Sequence, residues 1–110
     1  MPNIHVLKSW PEHFAPLLAG RKRAELRLND RAFAEGDWLV LREYDPETER
    51  YSGRWAAATV THVVSDARMG LQPGYSMLSI SVQQHGSDYN SVDFSIASTS
   101  LLARNKSNAV

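Results

Sequence analysis

A short basic segment holds the side chains best suited to recognising a ligand. Gly20 frees the backbone for a sharp turn, and Lys22 follows at that turn. Glu25 and Arg27 are two residues apart, so in a strand their side chains project from the same face. A cation, a carboxylate and a guanidinium can therefore converge. Such a set suits recognition of a phosphate or a nucleobase, because arginine presents a planar fork of donors and glutamate accepts from an amino or imino group.

The same charges have a simpler interpretation, as a solvated strand face with cross-strand ion pairs. The distribution of charge favours a focal site instead. Residues 20–31 carry five cations against two carboxylates, whereas residues 43–49 carry four carboxylates and no cation. The formal net charge is zero, which argues against a protein that grips long duplex DNA by bulk electrostatics. A basic site beside an acidic hairpin fits a short ligand better than a long polyanion.

Further residues are candidates for the same site. Lys8 ends the first predicted strand, where it is either functional or merely solvated. Trp10 could stack on a base, although its place in a helical apolar stripe favours core packing. Asn29 and Asp30 could orient Arg27, but both residue types also make turns by bonding their own backbone. The predicted ligand-binding residues are Lys8, Lys22, Glu25, Arg27 and Arg31.

The sequence gives no support for a metal or another cofactor, and we expect neither. It contains no cysteine, and its four histidines lack the paired spacing of zinc ligands. His5 and His62 lie in strand patterns and are predicted to be structural. No serine stands in a recognisable nucleophile setting.

The elements that must position the basic segment begin with a strand and a helix. Residues 4–8 alternate apolar and polar side chains, as a half-buried strand does. Ser9 to Glu12 has the S-x-x-E form of a capping box, so a short helix should begin there. Pro16 predicts a kink or break in that helix, and Gly20 stands where a left-handed C-terminal cap belongs. The apolar stripe of the helix consists of Trp10, Phe14, Leu17 and Leu18.

Strand patterns account for most of the remaining chain. From Arg23 the pattern has period two, with Ala24, Leu26 and Leu28 on one face and charged residues on the other. Three further strands are predicted over residues 38–44, 55–64 and 75–82. Residues 45–53 predict a long polar hairpin loop. Trp38 and Leu41 are predicted core residues, since they lie in the most apolar of these strands.

These elements predict one α+β, mainly β domain: a small, partly open β-barrel of about five to six strands with one or two short helices. Residues 1–84 form this domain, because 110 residues suffice for one ordinary core. After Gln84 the composition shifts to Ser, Asn and Gly, which predicts a mostly mobile tail over residues 85–110 with a possible extra strand at 92–96. With no apolar signal stretch and no membrane-spanning run, we expect a cytoplasmic protein, with a monomer favoured.

The basic segment resembles the G-x-K-x-x-E-x-R signature of ASCH domains, which belong to the PUA-like superfamily. The resemblance extends over roughly residues 4–82 and points to a small bacterial and phage-borne ASCH-related family of unknown function. The matching residues outside the signature are His5-x-Leu7-Lys8, Phe14, Asn29-Asp30-Arg31, Gly36-Asp37 and Arg42-Glu43-Tyr44. The resemblance implies a partly open β-barrel with a cleft between barrel and helix, in a superfamily associated with binding of RNA and modified nucleotides.

Some ASCH proteins are amidohydrolases of N4-acylated cytidine, and ribonuclease activity has been proposed for others. The lysine of the hydrolase pattern matches Lys22, but that pattern has threonine at the position of Glu25 and a distal glutamate with no counterpart in this chain. Our first hypothesis is therefore a module that binds RNA or a nucleotide. The second is a small hydrolase in which Lys22 polarises or activates and Glu25 moves protons. The third is an interaction protein that uses the acidic hairpin over residues 43–49.

Overall fold

The chain is described over residues 2–91 by a computed structural model. Within this range five strands and one α-helix follow in the order β1 (Ile4–Ser9), α1 (Pro11–Leu18), β2 (Ala24–Leu28), β3 (Trp38–Asp45), β4 (Arg50–Val64) and β5 (Tyr75–Gly86). Two 3-10 turns lie at Ala67–Met69 and Tyr89–Ser91. The prediction of a mainly β, partly open barrel is confirmed, because the strands form one curled sheet and the helix is short.

The sheet has the order β1-β3-β4-β5-β2, with β1 parallel to β3 and the other neighbours antiparallel. The outer strand β1 is joined to β2 and to the segment after β2 by arginine side chains and not by a backbone ladder. Arg27 Nη2 donates to the Lys8 carbonyl at 2.8 Å, and Arg31 Nη1 donates to the Val6 carbonyl at 3.1 Å. We call these two contacts the arginine seam. Because unpaired carbonyls of an edge strand need partners, the seam satisfies two of them while leaving room for a cleft.

The main core lies between α1 and the inner face of the sheet. Phe14 and Leu17 of the helix pack with Leu39 and Leu41 of β3 in one buried cluster. Trp38 is buried on the other face of β3 against Ala57, so both predicted core residues of this strand are confirmed. The remaining buried members of the main cluster are Leu7, Phe33, Ala56, Ala58, Val60, Leu78 and Ile80.

The start of α1 differs from the prediction. The N-cap residue is Trp10, which makes no side-chain capping bond, so the predicted Ser9 capping box is wrong. Ser9 ends β1 with its side chain turned inward, and its Oγ is buried with no hydrogen-bond partner among residues 2–91. The helix contains Pro16 without breaking there. Beyond its end Gly20 has a φ of +75°, as the predicted left-handed turn requires.

The strands are longer than the sequence patterns suggested. β3 reaches Asp45 and β4 starts at Arg50, so the predicted long loop over 45–53 is wrong and the turn takes only residues 46–49. β5 continues to Gly86, two residues past the predicted end of the domain, because it stays paired with the long strand β4. The possible strand at 92–96 and most of the predicted tail lie outside the described residues.

Candidate functional site

A cleft of about 700 Å³ lies where the end of β1, the start of α1 and the edge strand β2 meet. This volume is within the range of small-molecule sites. Its polar lining consists of Lys8, Ser9, His13, Lys22, Glu25 and Arg27. Its apolar lining consists of Trp10, Ala24, Leu26, Leu71 and Met77. The structure thus brings four of the five predicted ligand-binding residues to one concave surface.

Glu25 is the centre of the polar wall. Its side chain is buried, with the residue only 3% exposed, and each carboxylate oxygen accepts from a different cation. Lys22 Nζ donates to Oε1 at 2.7 Å, and Arg27 Nε donates to Oε2 at 3.0 Å. A solvated strand face is therefore the wrong interpretation for Glu25. The convergence predicted from the spacing of these residues is present, and we call the three residues the charged triad.

The cations of the charged triad keep donors beyond their bonds to Glu25. Arg27 uses Nε on Glu25 and Nη2 in the arginine seam, which leaves Nη1 outside these two bonds. Lys22 has three N–H donors, and besides Glu25 it contacts the His13 carbonyl at a long 3.5 Å. With two cations and one carboxylate the triad carries a formal charge of +1. It can therefore attract an anion, and Glu25 retains lone pairs that can accept from a ligand donor.

In β2 the charged face is turned inward and the apolar face outward, which is the reverse of the usual arrangement. Glu25 is buried, whereas Leu26 is 62% exposed and Leu28 is exposed as well. Leu26 is paired with Met77 of β5, and both side chains line the cleft. The cleft therefore has an apolar side next to the charged triad, as sites for planar ligands commonly do.

Trp10 lies on the surface of the cleft, 48% exposed, and the prediction that it packs in the core is wrong. As N-cap residue it precedes the first helical turn, so it does not continue the buried stripe of Phe14 and Leu17. Its ring centroid lies 6.2 Å from that of His13, with an angle of 31° between the planes. The sequence analysis did not identify His13, Leu71 or Met77 as cleft residues. His13 could have been found from its position three residues after Trp10, whereas Leu71 and Met77 gave no signal in the sequence.

Lys8 and Arg31 occupy different positions from the triad. Lys8 lines the cleft, but its Nζ lies 4.3 Å from the ring centroid of Tyr44. Arg31 does not line the cleft; it serves the arginine seam. Asn29 accepts from the Phe33 backbone through Oδ1, as expected for a turn residue and not for one that orients Arg27.

The acidic hairpin is less available than its sequence suggests. Glu43 is buried, and Arg54 donates to its two oxygens through Nε and Nη2, each at 2.9 Å. Ser52 Oγ donates to Oε1 at 2.7 Å. Hydrogen bonding to Arg54 lowers the pKa of Glu43 below its ordinary value. Glu43 is thus an internal anchor of the hairpin and not part of a free acidic surface.

Two of the strand histidines, His5 and His62, are paired with carboxylates. His5 Nε2 lies 2.8 Å from Asp37 Oδ2 in a buried pair, and His62 Nδ1 lies 2.9 Å from Glu35 at the surface. Over residues 2–91 no three His, Cys, Asp or Glu side chains gather as a metal site would require. In the same range no helix has the length and apolar character needed to cross a membrane.

Comparison with known proteins identifies a family for this chain. Residues 4–80 match the family described as "Domain of unknown function (DUF3850)". The chain is also similar to the "Uncharacterized 12.9 kDa protein in GpA 3'region" of Escherichia phage P2, with 38% identity over 63 residues. That alignment covers 57% of this chain and 56% of the phage protein, so it spans only about half the length of this relative.

Proposed function

The chain belongs to the family described as Domain of unknown function (DUF3850), and we propose that it is a module that binds RNA or a nucleotide in the cleft between β1, α1 and β2. The observation that carries this proposal is the charged triad. A carboxylate that is only 3% exposed is held between two cations on the wall of an open cleft. The agreement of its residues with the G-x-K-x-x-E-x-R signature supports a relation to ASCH domains and their superfamily.

The triad and the apolar side suit different parts of a nucleotide. Lys22 and Arg27 provide the positive charge and N–H donors for a phosphate. Glu25 cannot attract phosphate, but it can accept from an exocyclic amino or ring imino group. Trp10 presents an exposed ring beside this polar wall, and a base could stack on it. A ligand with a flat apolar ring, N–H donors and a negative charge would use every part of the cleft.

A buried carboxylate is a costly feature for a surface that only needs solubility. Transfer of an ionised group out of water is unfavourable unless it is paired and hydrogen-bonded. Here the pairing partners are themselves about a quarter exposed, with side-chain exposures of 27% for Lys22 and 24% for Arg27. The cations thus face the cleft while their counter-ion lies behind them. This arrangement presents positive charge to a ligand, and the carboxylate of Glu25 holds the two cations in position.

Lys22 offers the cleanest test, because Arg27 also supports the arginine seam. We expect Lys22→Gln to weaken binding of a phosphorylated nucleotide or short RNA and to reduce the slope of log affinity against log salt by about one. Arg68→Gln is the matched control, since Arg68 pairs with Asp66 in the exposed 3-10 turn and does not line the cleft. Ligand-observed NMR with nucleosides, acylated cytidines and short RNAs would measure both. Equal affinities of wild type and Lys22→Gln would refute the assignment.

The 2.7 Å contact between Lys22 and Glu25 favours a second candidate, a hydrolase that uses the same cleft on a modified nucleoside or on RNA. A lysine and a buried carboxylate in contact can exchange and deliver protons. Glu25→Gln separates the two functions, because it retains the shape and one acceptor oxygen while removing the charge. A binding module should lose modest affinity, whereas a hydrolase should retain binding and lose most of its turnover. Turnover of acylated cytidine or RNA by the wild type is the measurement that would promote this candidate.

A further inference from the structure

Two cations and three aromatic rings form a continuous row of contacts across the strands β1, β3 and β4. Lys8 Nζ lies 4.3 Å from the Tyr44 ring centroid, and the Tyr44 ring meets Tyr51 edge to face at 4.9 Å. The Arg42 guanidinium lies 3.7 Å from the centroid of Tyr51 and 3.7 Å from that of Tyr89. We call these five residues the aromatic–cation ladder. They come from β1, β3, β4 and the 3-10 turn after β5, so the sequence gives no hint of their proximity.

The cations of the aromatic–cation ladder have no acidic counter-ion in the described part of the chain. Within residues 2–91 neither Lys8 nor Arg42 forms an ion pair, whereas Lys22, Arg27 and Arg54 each do. The Nε of Arg42 is buried and has no hydrogen-bond partner in that range. Aromatic faces attract a cation but do not neutralise its charge. The ladder therefore carries positive charge that a polyanion could satisfy.

We propose that the ladder continues the cleft as a binding path for single-stranded nucleic acid. This inference rests on the proposed function, since it takes the nucleotide in the cleft as one unit of a longer strand. Lys8 belongs to both surfaces, because it lines the cleft and caps the ring of Tyr44. Sequence-tolerant binding of single strands combines a positive groove with rings on which bases stack. The ladder offers the positive charge and the rings, of which Tyr51 is exposed.

The acidic hairpin tip sets one boundary of the path. Asp45 is paired with Arg50 next to the Tyr44–Tyr51 pair, and Glu47 and Glu49 lie in the turn beyond. Phosphates are repelled there, so the strand runs from Lys8 towards Arg42 and Tyr89. An acidic peptide would share the attraction to the cations, but it has no bases to stack on the rings. Rings interleaved with the cations favour nucleic acid.

The test compares a uridine hexamer with uridine monophosphate, using fluorescence anisotropy for the labelled RNA and NMR for the mononucleotide. We expect the wild-type chain to bind the hexamer at least tenfold more tightly than the monophosphate. Tyr51→Leu retains an apolar side chain on an exposed position and removes the ring. It should weaken hexamer binding by about fivefold to tenfold, as loss of one stacked base does, and leave monophosphate binding unchanged. Arg42→Gln should do the same and reduce the salt slope by about one.

Several results separate this inference from the proposed function. If the hexamer binds no more tightly than the monophosphate, or if both ladder variants bind it like Arg68→Gln, the path is refuted while the cleft stands. If ladder variants lose the hexamer and Lys22→Gln does not, the ladder binds nucleic acid without the cleft, which refutes both the proposed function and the continuity of the path with the cleft. No binding of either ligand overturns both. A uridine hexamer paired with an adenosine hexamer should bind more weakly than the single-stranded uridine hexamer. A DNA hexamer tests whether binding requires the ribose. Equal competition by polyglutamate would refute base stacking.

Discussion

The same substitution, leucine to alanine, should have very different effects on stability at two strand positions. Leu41 is 0% exposed on the central strand β3, and Leu26 is 62% exposed on the edge strand β2. Both positions look apolar and strand-like in the sequence, and both would count as core by alternation alone. We expect a large loss of stability for Leu41→Ala and almost none for Leu26→Ala.

The magnitude at Leu41 follows from its surroundings. Its backbone is paired with Leu7 on one side and with Ala56 on the other, and its side chain packs in the cluster that contains Phe14 and Leu17. Leucine-to-alanine changes in such cores cost about 2–5 kcal/mol, and more when the site cannot collapse around the cavity. Because both neighbouring strands hold β3 in place, we expect about 3–4 kcal/mol. That is a large share of the roughly 5–15 kcal/mol that stabilises a typical domain.

Leu26→Ala should change the free energy of unfolding by no more than about 0.5 kcal/mol, as exposed positions do. Urea unfolding followed by tryptophan fluorescence measures both variants, and unchanged m-values would show that the midpoint shifts report stability. A loss at Leu26 equal to that at Leu41 would mean that β2 turns its apolar face inward and that Glu25 is not buried. A loss well under 1 kcal/mol at Leu41 would mean that the packing of α1 on the sheet is misassigned.

Three further predictions concern the hairpin, the C-terminal boundary and the arginine seam. Hydrogen bonding to Arg54 lowers the pKa of Glu43, so this pair stabilises the fold fully above about pH 4.5 and loses its contribution as the pH falls through the lowered value. Arg54→Gln should therefore flatten the fall of the urea midpoint as the pH is lowered. A chain ending at Gln84 should fold but unfold at lower urea than one ending at Ser91, because it lacks the last paired residues of β5 and the Tyr89 ring that contacts Arg42. We expect a difference of about 1–2 kcal/mol in the free energy of unfolding, and equal urea midpoints would contradict this. Arg31→Gln should raise hydrogen exchange in β1 selectively, by up to about tenfold, and uniform or unchanged exchange would show that the seam does not hold this edge.

The sequence by itself determined the local elements and the residues of the charged triad. Period-two patterns predicted β1, β2 and β5, because alternation of side chains across a strand is a local property of the backbone, and apolar or β-branched runs predicted β3 and β4. The spacing of Glu25 and Arg27 put them on one face for the same reason, and Gly20 supplied the turn that brings Lys22 to them. The buried positions of Trp38 and Leu41 also followed from a continuous apolar run.

Only the tertiary structure decided which face of β2 is buried and which residues complete the cleft. Local alternation would turn Leu26 inward. However, β2 is an edge strand beside the arginine seam, where Glu25 pairs with two cations and Leu26 lies next to the exposed Met77 of β5. Trp10 matched a helical stripe in sequence, but it lies outside because the helix starts one residue later than the capping pattern indicated.

The partners of Glu43 and of the aromatic–cation ladder were equally beyond the sequence. Glu43 meets Arg54 across a hairpin whose length depends on pairing between β3 and β4, and Arg42 meets Tyr89 across nearly half the chain. Such contacts depend on register and sheet curvature. These arise from the simultaneous pairing of all strands and from burial of the common core, so no single segment contains the information that places them.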